Sequence, residues 1–149
     1  MLKSSDLATN IHRLSTVLGR VADCTLQDSC GFGVSQFKIL WMLHIHKEGV
    51  LQATIANWLS QTEAAISRQI GLLEQEGLIE KRVDPKNRRN HIIVLSNKGS
   101  KLAGNAMDSL QKEYKPYFGV LTEAEQIELN RMLEKVFFTV ATNLHKEGK

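Results

Sequence analysis

Cysteine and proline are scarce in this chain, with two of each among 149 residues. Cys24 and Cys30 are too few for a secreted disulfide scaffold, and their spacing matches neither a C-x-x-C pair nor a zinc ribbon, so reduced thiols are expected. Two prolines and 10 glycines are also too few for a collagen-like or low-complexity chain. Long apolar runs are missing as well. The longest is Ile39–Leu43, against the ~20 residues that cross a bilayer, and Asp6 and His12 interrupt the start where a signal peptide would be apolar. A cytoplasmic protein with no membrane partner is expected. No G-x-S-x-G, H-E-x-x-H, phosphate-binding loop or dinucleotide fingerprint occurs, so neither an enzyme nor a cofactor or resident metal is expected. Charge of one sign is nearly absent as a bulk property, with 19 basic against 16 acidic residues. Only the placement of charge can point to a partner.

What the chain does have is helical periodicity. At this length one domain, 1–149, is expected to bury about two thirds of its unfolded surface. Leu7, Ile11, Leu14, Leu18 and Val21 recur at steps of four and three, predicting a first helix over about 5–27 with a coiled-coil-like stripe. Gly31 and Gly33 break the chain. Ser35 is the expected N-cap of a second helix carrying Phe37, Leu40, Trp41 and Leu43 and ending near Lys47. A short helix is predicted from Gln52 to Leu59. Ser60 and Glu63 have capping-box spacing and predict the start of the next helix, whose stripe is Ile66, Ile70 and Leu73 and whose end is Gly77. Two short helices joined tightly, the second showing small and amide side chains near its start, have the arrangement of a helix-turn-helix.

A β-hairpin follows, with strands at Leu78–Val83 and His91–Leu95 and a turn at Asp84-Pro85-Lys86-Asn87. Between Lys81 and Lys98 lie six basic residues and one acidic residue, a local excess larger than the whole chain's net charge of +3. A solvated hairpin alone would account for such a run, so its neighbours must decide. After Ser96 the helical pattern returns through Leu102, Ala106, Leu110 and Tyr114, with an interruption at Pro116 and Gly119. Thr122 and Glu125 form a second capping box before a final helix striped by Leu129, Leu133, Val136, Val140 and Leu144. The expected fold class is mainly α with a small antiparallel β-hairpin wing.

Four strings in this order resemble the MarR family of winged helix-turn-helix transcriptional regulators over nearly the whole chain. They are Val34-Ser35-Gln36-Phe37-x-Ile39-Leu40, Ile66-Ser67-Arg68-Gln69-Ile70-x-x-Leu73-Glu74-x-x-Gly77-Leu78-Ile79, Asp84-Pro85-x-Asn87-Arg88-Arg89, and Val94-Leu95-Ser96-x-x-Gly99. The resemblance implies a homodimer built from terminal helices at about 5–27 and 97–146, and a DNA-binding lobe at about 35–96. It also implies a recognition helix in the major groove and a wing in the minor groove. On that reading the candidate DNA contacts are Ser60, Thr62, Ala64, Ala65, Ser67, Arg68 and Gln69, with Lys86, Arg88 and Arg89 on the wing, and the partner is a pseudo-palindromic double-stranded operator. Arg68 has the chemistry for guanine, Gln69 for adenine and Ser67 for base or phosphate, while arginine suits a narrow minor groove. Asn87 stands where the family usually has a second Asp, which removes an expected ion pair with the wing arginine.

Other constellations compete. The resemblance implies a small-molecule effector pocket, for which His12, Ser15, Phe37, Trp41 and His44 are candidates, although core packing explains Phe37 and Trp41 equally well. Cys24 and Cys30 are candidate redox residues. Arg20 favours a thiolate at Cys24 while Asp23 and Asp28 oppose it, and a structural role in a buried setting is the preferred reading. His44 and His46 point to different sides of a helix, so a metal site is not expected. A regulator released from DNA by an effector is the leading expectation. The alternatives are a thiol-sensing regulator of the same fold and a winged-helix protein-interaction module that leaves DNA alone.

Overall fold

A computed structural model describes the chain through Glu147 and its side chains through Asn143, so the side chain of Leu144 lies outside the described residues. The elements in order are α1 (Ser4–Cys30), α2 (Val34–Ile45), β1 (Val50–Leu51), α3 (Gln52–Leu59), α4 (Glu63–Gln75), β2 (Ile79–Asp84), β3 (Asn87–Leu95), α5 (Asn97–Phe118) and α6 (Glu123–Glu147). The chain divides into two compact packing units, Met1–Gln111 and Lys112–Lys149, and the boundary falls within α5. Among the described residues, no helix is long and apolar enough to cross a membrane.

In the first unit α1 runs three residues past its expected end, to Cys30, because its stop comes from Gly31 in the left-handed conformation, whose N–H donates to Gln27 O at 3.1 Å. Ser35 is not the cap of α2. That helix begins at Val34 after Gly33, and Asp23 of α1 replaces the local cap by accepting the Val34 N–H on Oδ1 at 2.7 Å. Ile39, Leu40 and Leu43 of α2, Ile55 of α3 and Leu26 of α1 are buried together with Ile93 of the sheet. Ile66, Ile70 and Leu73, the stripe expected for α4, are completely buried. Their burial contributes roughly 5–9 kcal/mol gross at about 1.5–3 kcal/mol per side chain, before conformational entropy is counted. That is enough to fix which face of α4 remains outside.

The wing has a third strand. A two-residue β1 pairs antiparallel with β3, giving the sheet order β1-β3-β2 with Val50 opposite Ile93 and Leu51 opposite Ile92. Gly49 makes this possible: its φ is +93°, and a Cβ there would lie 2.6 Å from both Ile92 and Val94 side chains. The hairpin also differs from expectation. Its strands reach closer to the tip, leaving Pro85-Lys86 as the turn, and the register runs from Val83 opposite His91 directly to Asp84 opposite Asn87. Arg88, Arg89 and Asn90 therefore bulge from β3.

A knot of hydrogen bonds joins the end of α4 to the start of α5. Ser96 N–H donates to Leu78 O at 3.0 Å and Ser96 Oγ to Gly77 O at 2.6 Å. Ser96 Oγ also accepts the Gly99 N–H at 3.0 Å, and Lys98 Nζ donates to Glu76 O at 2.8 Å. Helix α5 continues through Pro116, where an interruption was expected. The missing N–H falls only two residues before the helix ends, and Gly119 N–H closes the last turn on Lys115 O at 2.9 Å.

In the second unit Thr122 and Glu125 form the expected capping box: Glu125 Oε2 accepts from Thr122 N and Oγ1 at 2.8 and 2.9 Å. The backbone and hydroxyl donors of Thr122 hold the Glu125 carboxyl below its ordinary range. Along α6, Leu133, Val136 and Val140 of the expected stripe are exposed, as are Ile127, Phe137 and Phe138.

Candidate nucleic-acid interface

Burial of the Ile66, Ile70 and Leu73 stripe turns the opposite face of α4 outward, and Thr62, Ala64, Ser67 and Arg68 are exposed there. Ala65 and Gln69 are half-buried. The head of the helix is not built as expected. Ser60 has φ 53° and ψ 41°, closing α3 in the left-handed region, and the capping oxygen is Thr62 Oγ1, which accepts the Ala65 N–H at 3.2 Å. The Ser60–Glu63 capping box is therefore replaced by a cap two residues later. The left-handed Ser60 is what turns the chain between α3 and α4, and Gln61 N–H then returns to Ala56 O at 3.0 Å.

The wing sorts its cations. Lys81 pairs with Glu74 at 3.0 Å, Arg82 with Glu80 at 3.3 Å, and Lys98 serves the Glu76 carbonyl at 2.8 Å. Lys86, Arg88 and Arg89 are exposed, and their charged groups have no partner among the described residues. Three of the six local cations are thus committed to the fold, and the free three are gathered at the tip. Two side-chain oxygens shape that tip: Asp84 Oδ1 accepts the Lys86 N–H at 2.9 Å, and Asn87 Oδ1 accepts the Arg89 N–H at 3.1 Å. Asn87 thus steadies Arg89 through the backbone, a role that the expected loss of an ion pair did not foresee.

Wing and helix head face the same space. A shallow cleft of about 100 Å³ is lined by Leu51, Gln52 and Ala53 at the start of α3, Glu63 at the start of α4, and Arg89, Asn90 and His91 of β3. Residues 26 apart in sequence, Glu63 and Arg89, thereby line one cleft and place Arg89 beside the first turn of the candidate recognition helix.

Residues 34–91 match the model of the MarR family. Over that segment the chain is similar to the MarR family. The match runs from α2 to the wing and includes every candidate DNA contact. No curated protein matches the chain. Among solved structures, a MarR transcriptional regulator from Methanosarcina mazei Go1 is 22% identical with a TM-score of 0.84, covering 93% of this chain and 99% of that one. A mutant MarR from E. coli complexed with operator DNA is 21% identical with a TM-score of 0.75 over 87% and 92% of the two chains. CouR from Rhodococcus jostii RHA1 bound to p-coumaroyl-CoA is 22% identical with a TM-score of 0.74 over 89% and 92%. The chain thus has the fold of a mainly helical winged helix-turn-helix with a three-stranded wing.

The remaining candidates fall apart into separate places. Phe37, Trp41 and His44 stack in a row along α2, with ring centroids 6.2 and 5.2 Å apart, and Ser100 Oγ lies 3.4 Å from His44 Nδ1. Phe37 is a core residue, whereas Trp41 and His44 are half-buried. His12 and Ser15 stand exposed on α1, and no side-chain hydrogen bond or ring contact among the described residues joins them to that row. Cys24 is exposed and Cys30 half-buried with Sγ 3.4 Å from Ser29 Oγ, so the buried setting assumed for structural thiols does not apply to Cys24.

Proposed function

We propose that this protein is a sequence-specific regulator of transcription that binds a pseudo-palindromic double-stranded operator as a homodimer. The observation that carries the reading is the set of exposed, unpaired cations: Arg68 on α4, and Lys86, Arg88 and Arg89 on a wing whose Arg89 lines the cleft at the head of that helix. Free guanidinium groups at a bulged tip suit phosphate and a narrow minor groove, while an exposed helix face of small and polar side chains fits a major groove. Binding of operator DNA by the E. coli MarR mutant supports the same use of this fold. The dimer reading is supported by the exposed Leu7, Ile11 and Leu14 of α1 and Leu133, Val136 and Val140 of α6, which are apolar stripes without cover in a single chain.

Repression relieved by a small-molecule effector is the mode we favour. CouR, bound to p-coumaroyl-CoA, is a ligand-bound example of the fold, and the stacked, half-buried Trp41 and His44 leave ring surface open to a ligand. The test is selection of duplexes from a random library by the full chain, followed by affinity measurements on the chain's own upstream DNA. Enrichment of a two-fold motif supports the reading, and failure to enrich any sequence transfers it to a protein-interaction module. A thiol-sensing regulator is a second reading, favoured by the exposure of Cys24. Peroxide that releases the parent protein from the selected duplex but not the Cys24→Ser variant would establish it.

A further inference from the structure

We infer that Gln61 reads a base and that Gln69 is the positioning residue that aims it, an inference that rests on the DNA-binding reading above. Gln61 lies in the turn between α3 and α4, its backbone already held by the 3.0 Å bond to Ala56 O. Two turns into α4, Gln69 Nε2 donates to Gln61 Oε1 at 3.1 Å, and Gln69 Oε1 is buried with no donor among the described residues. Both polar atoms of Gln69 are thus turned inward. The bidentate contact to adenine expected of it would require breaking this pair.

The pair has a direction. Because the Gln61 oxygen accepts, its NH₂ group is left over, and Gln61 presents donors at the helix head. Donors there match purine N7, guanine O6 or thymine O4 in the major groove. Its neighbours are poorer readers: Thr62 Oγ1 already accepts the Ala65 N–H and keeps a single O–H to give, and Ala64 and Ala65 carry only methyl groups. Pre-ordering a flexible amide in the free protein also lowers the entropy lost on binding.

The probe is the duplex that the wild-type chain selects from a random library, with a scrambled duplex beside it. Gln61→Ala and Gln69→Ala are each expected to weaken the selected duplex roughly tenfold, with little change on the scrambled one, and the double variant should lose no more than either alone. Gln69→Glu supplies a readout that a merely structural role would not move. A carboxylate only accepts, so Gln61 must turn its NH₂ toward it and present oxygen outward. Selection with this variant should then change one motif position from an acceptor-bearing edge toward adenine N6 or cytosine N4.

The inference is overturned if Gln69→Ala costs as much in the Gln61→Ala background as in the wild type, or if Gln61→Ala leaves the selected motif unchanged. Should the Gln69 variants fail to fold by circular dichroism, Gln61→Ala decides alone: degeneracy at one motif position supports the inference, and an unchanged motif overturns it. Failure of the DNA-binding reading looks different, since the wild-type chain would then enrich nothing and both would fall.

Discussion

Alanine at position 99 is expected to destabilise the fold by about 2–4 kcal/mol, although it adds only a methyl group. A Cβ on Gly99 would lie 1.9 Å from the Leu78 carbonyl oxygen, 2.9 Å from its carbon and 3.0 Å from the Leu95 Cδ2. The first two atoms are backbone, so no rotamer change relieves them. Leu78 O also accepts the Ser96 N–H at 3.0 Å, and displacing the carbonyl stretches that bond. Overpacking costs about 1–3 kcal/mol and a weakened buried hydrogen bond about 1 kcal/mol more, which together lower Tm by on the order of 10 °C for a chain of this size. The assay is thermal circular dichroism at one fixed protein concentration, because dimerisation would make Tm concentration-dependent. Gly71→Ala supplies the opposite sign. A Cβ there meets nothing within 4 Å, and alanine in a helix interior should gain roughly 0.5–1 kcal/mol. A Gly99→Ala variant melting within about a degree of wild type, or a Gly71→Ala variant falling equally far, would refute the account of the α4–α5 junction.

The wing and the recognition helix should fail differently. Arg89→Ala is expected to weaken the selected and scrambled duplexes nearly alike and to reduce the slope of log affinity against log salt by about 0.9, whereas Arg68→Ala should cost about 1–3 kcal/mol mainly on the selected duplex. A salt slope unchanged by Arg89→Ala removes the wing from the interface. Val136→Asp, which sets a charge within the exposed stripe of α6, is expected to shift the protein from dimer to monomer in light scattering. A wild-type chain already monomeric and folded at micromolar concentration would end the dimer reading. Thr122→Val deletes the hydroxyl donor to Glu125 but keeps the backbone N–H, so NMR titration should find the carboxyl pKa part of the way back up to its ordinary value. Its folded-state value is depressed, so the stabilisation is present above the unfolded-state pKa and fades as pH falls through the folded one.

Local periodicity carried much of the architecture. The Ile66, Ile70 and Leu73 spacing located α4 and its outward face, because it records which side of the helix meets the core, and segments rich in β-branched residues on both sides of a proline turn located the wing. Element ends were harder. Ser60, Thr62 and Glu63 permit two caps, and the left-handed backbone at Ser60 decided for Thr62. The start of α2 depended on Asp23, eleven residues earlier on another helix. Strand β1, with two residues, is too short for any periodicity and exists through its pairing with Ile92 and Ile93.

At the candidate interface the division is sharper. The placement of lysine and arginine along the chain identified a cationic hairpin, since charge is a property of residue type. Which cations remain available was settled by Glu74, Glu80 and the Glu76 carbonyl, which engage Lys81, Arg82 and Lys98 and leave Lys86, Arg88 and Arg89 free. Gln69 had the chemistry for a base at every stage, but its amide faces Gln61, eight residues earlier. A sequence states what a side chain is able to donate or accept. Which partner it meets depends on atoms brought within about 3 Å by burial of the apolar stripes, and no spacing along the chain encodes that distance.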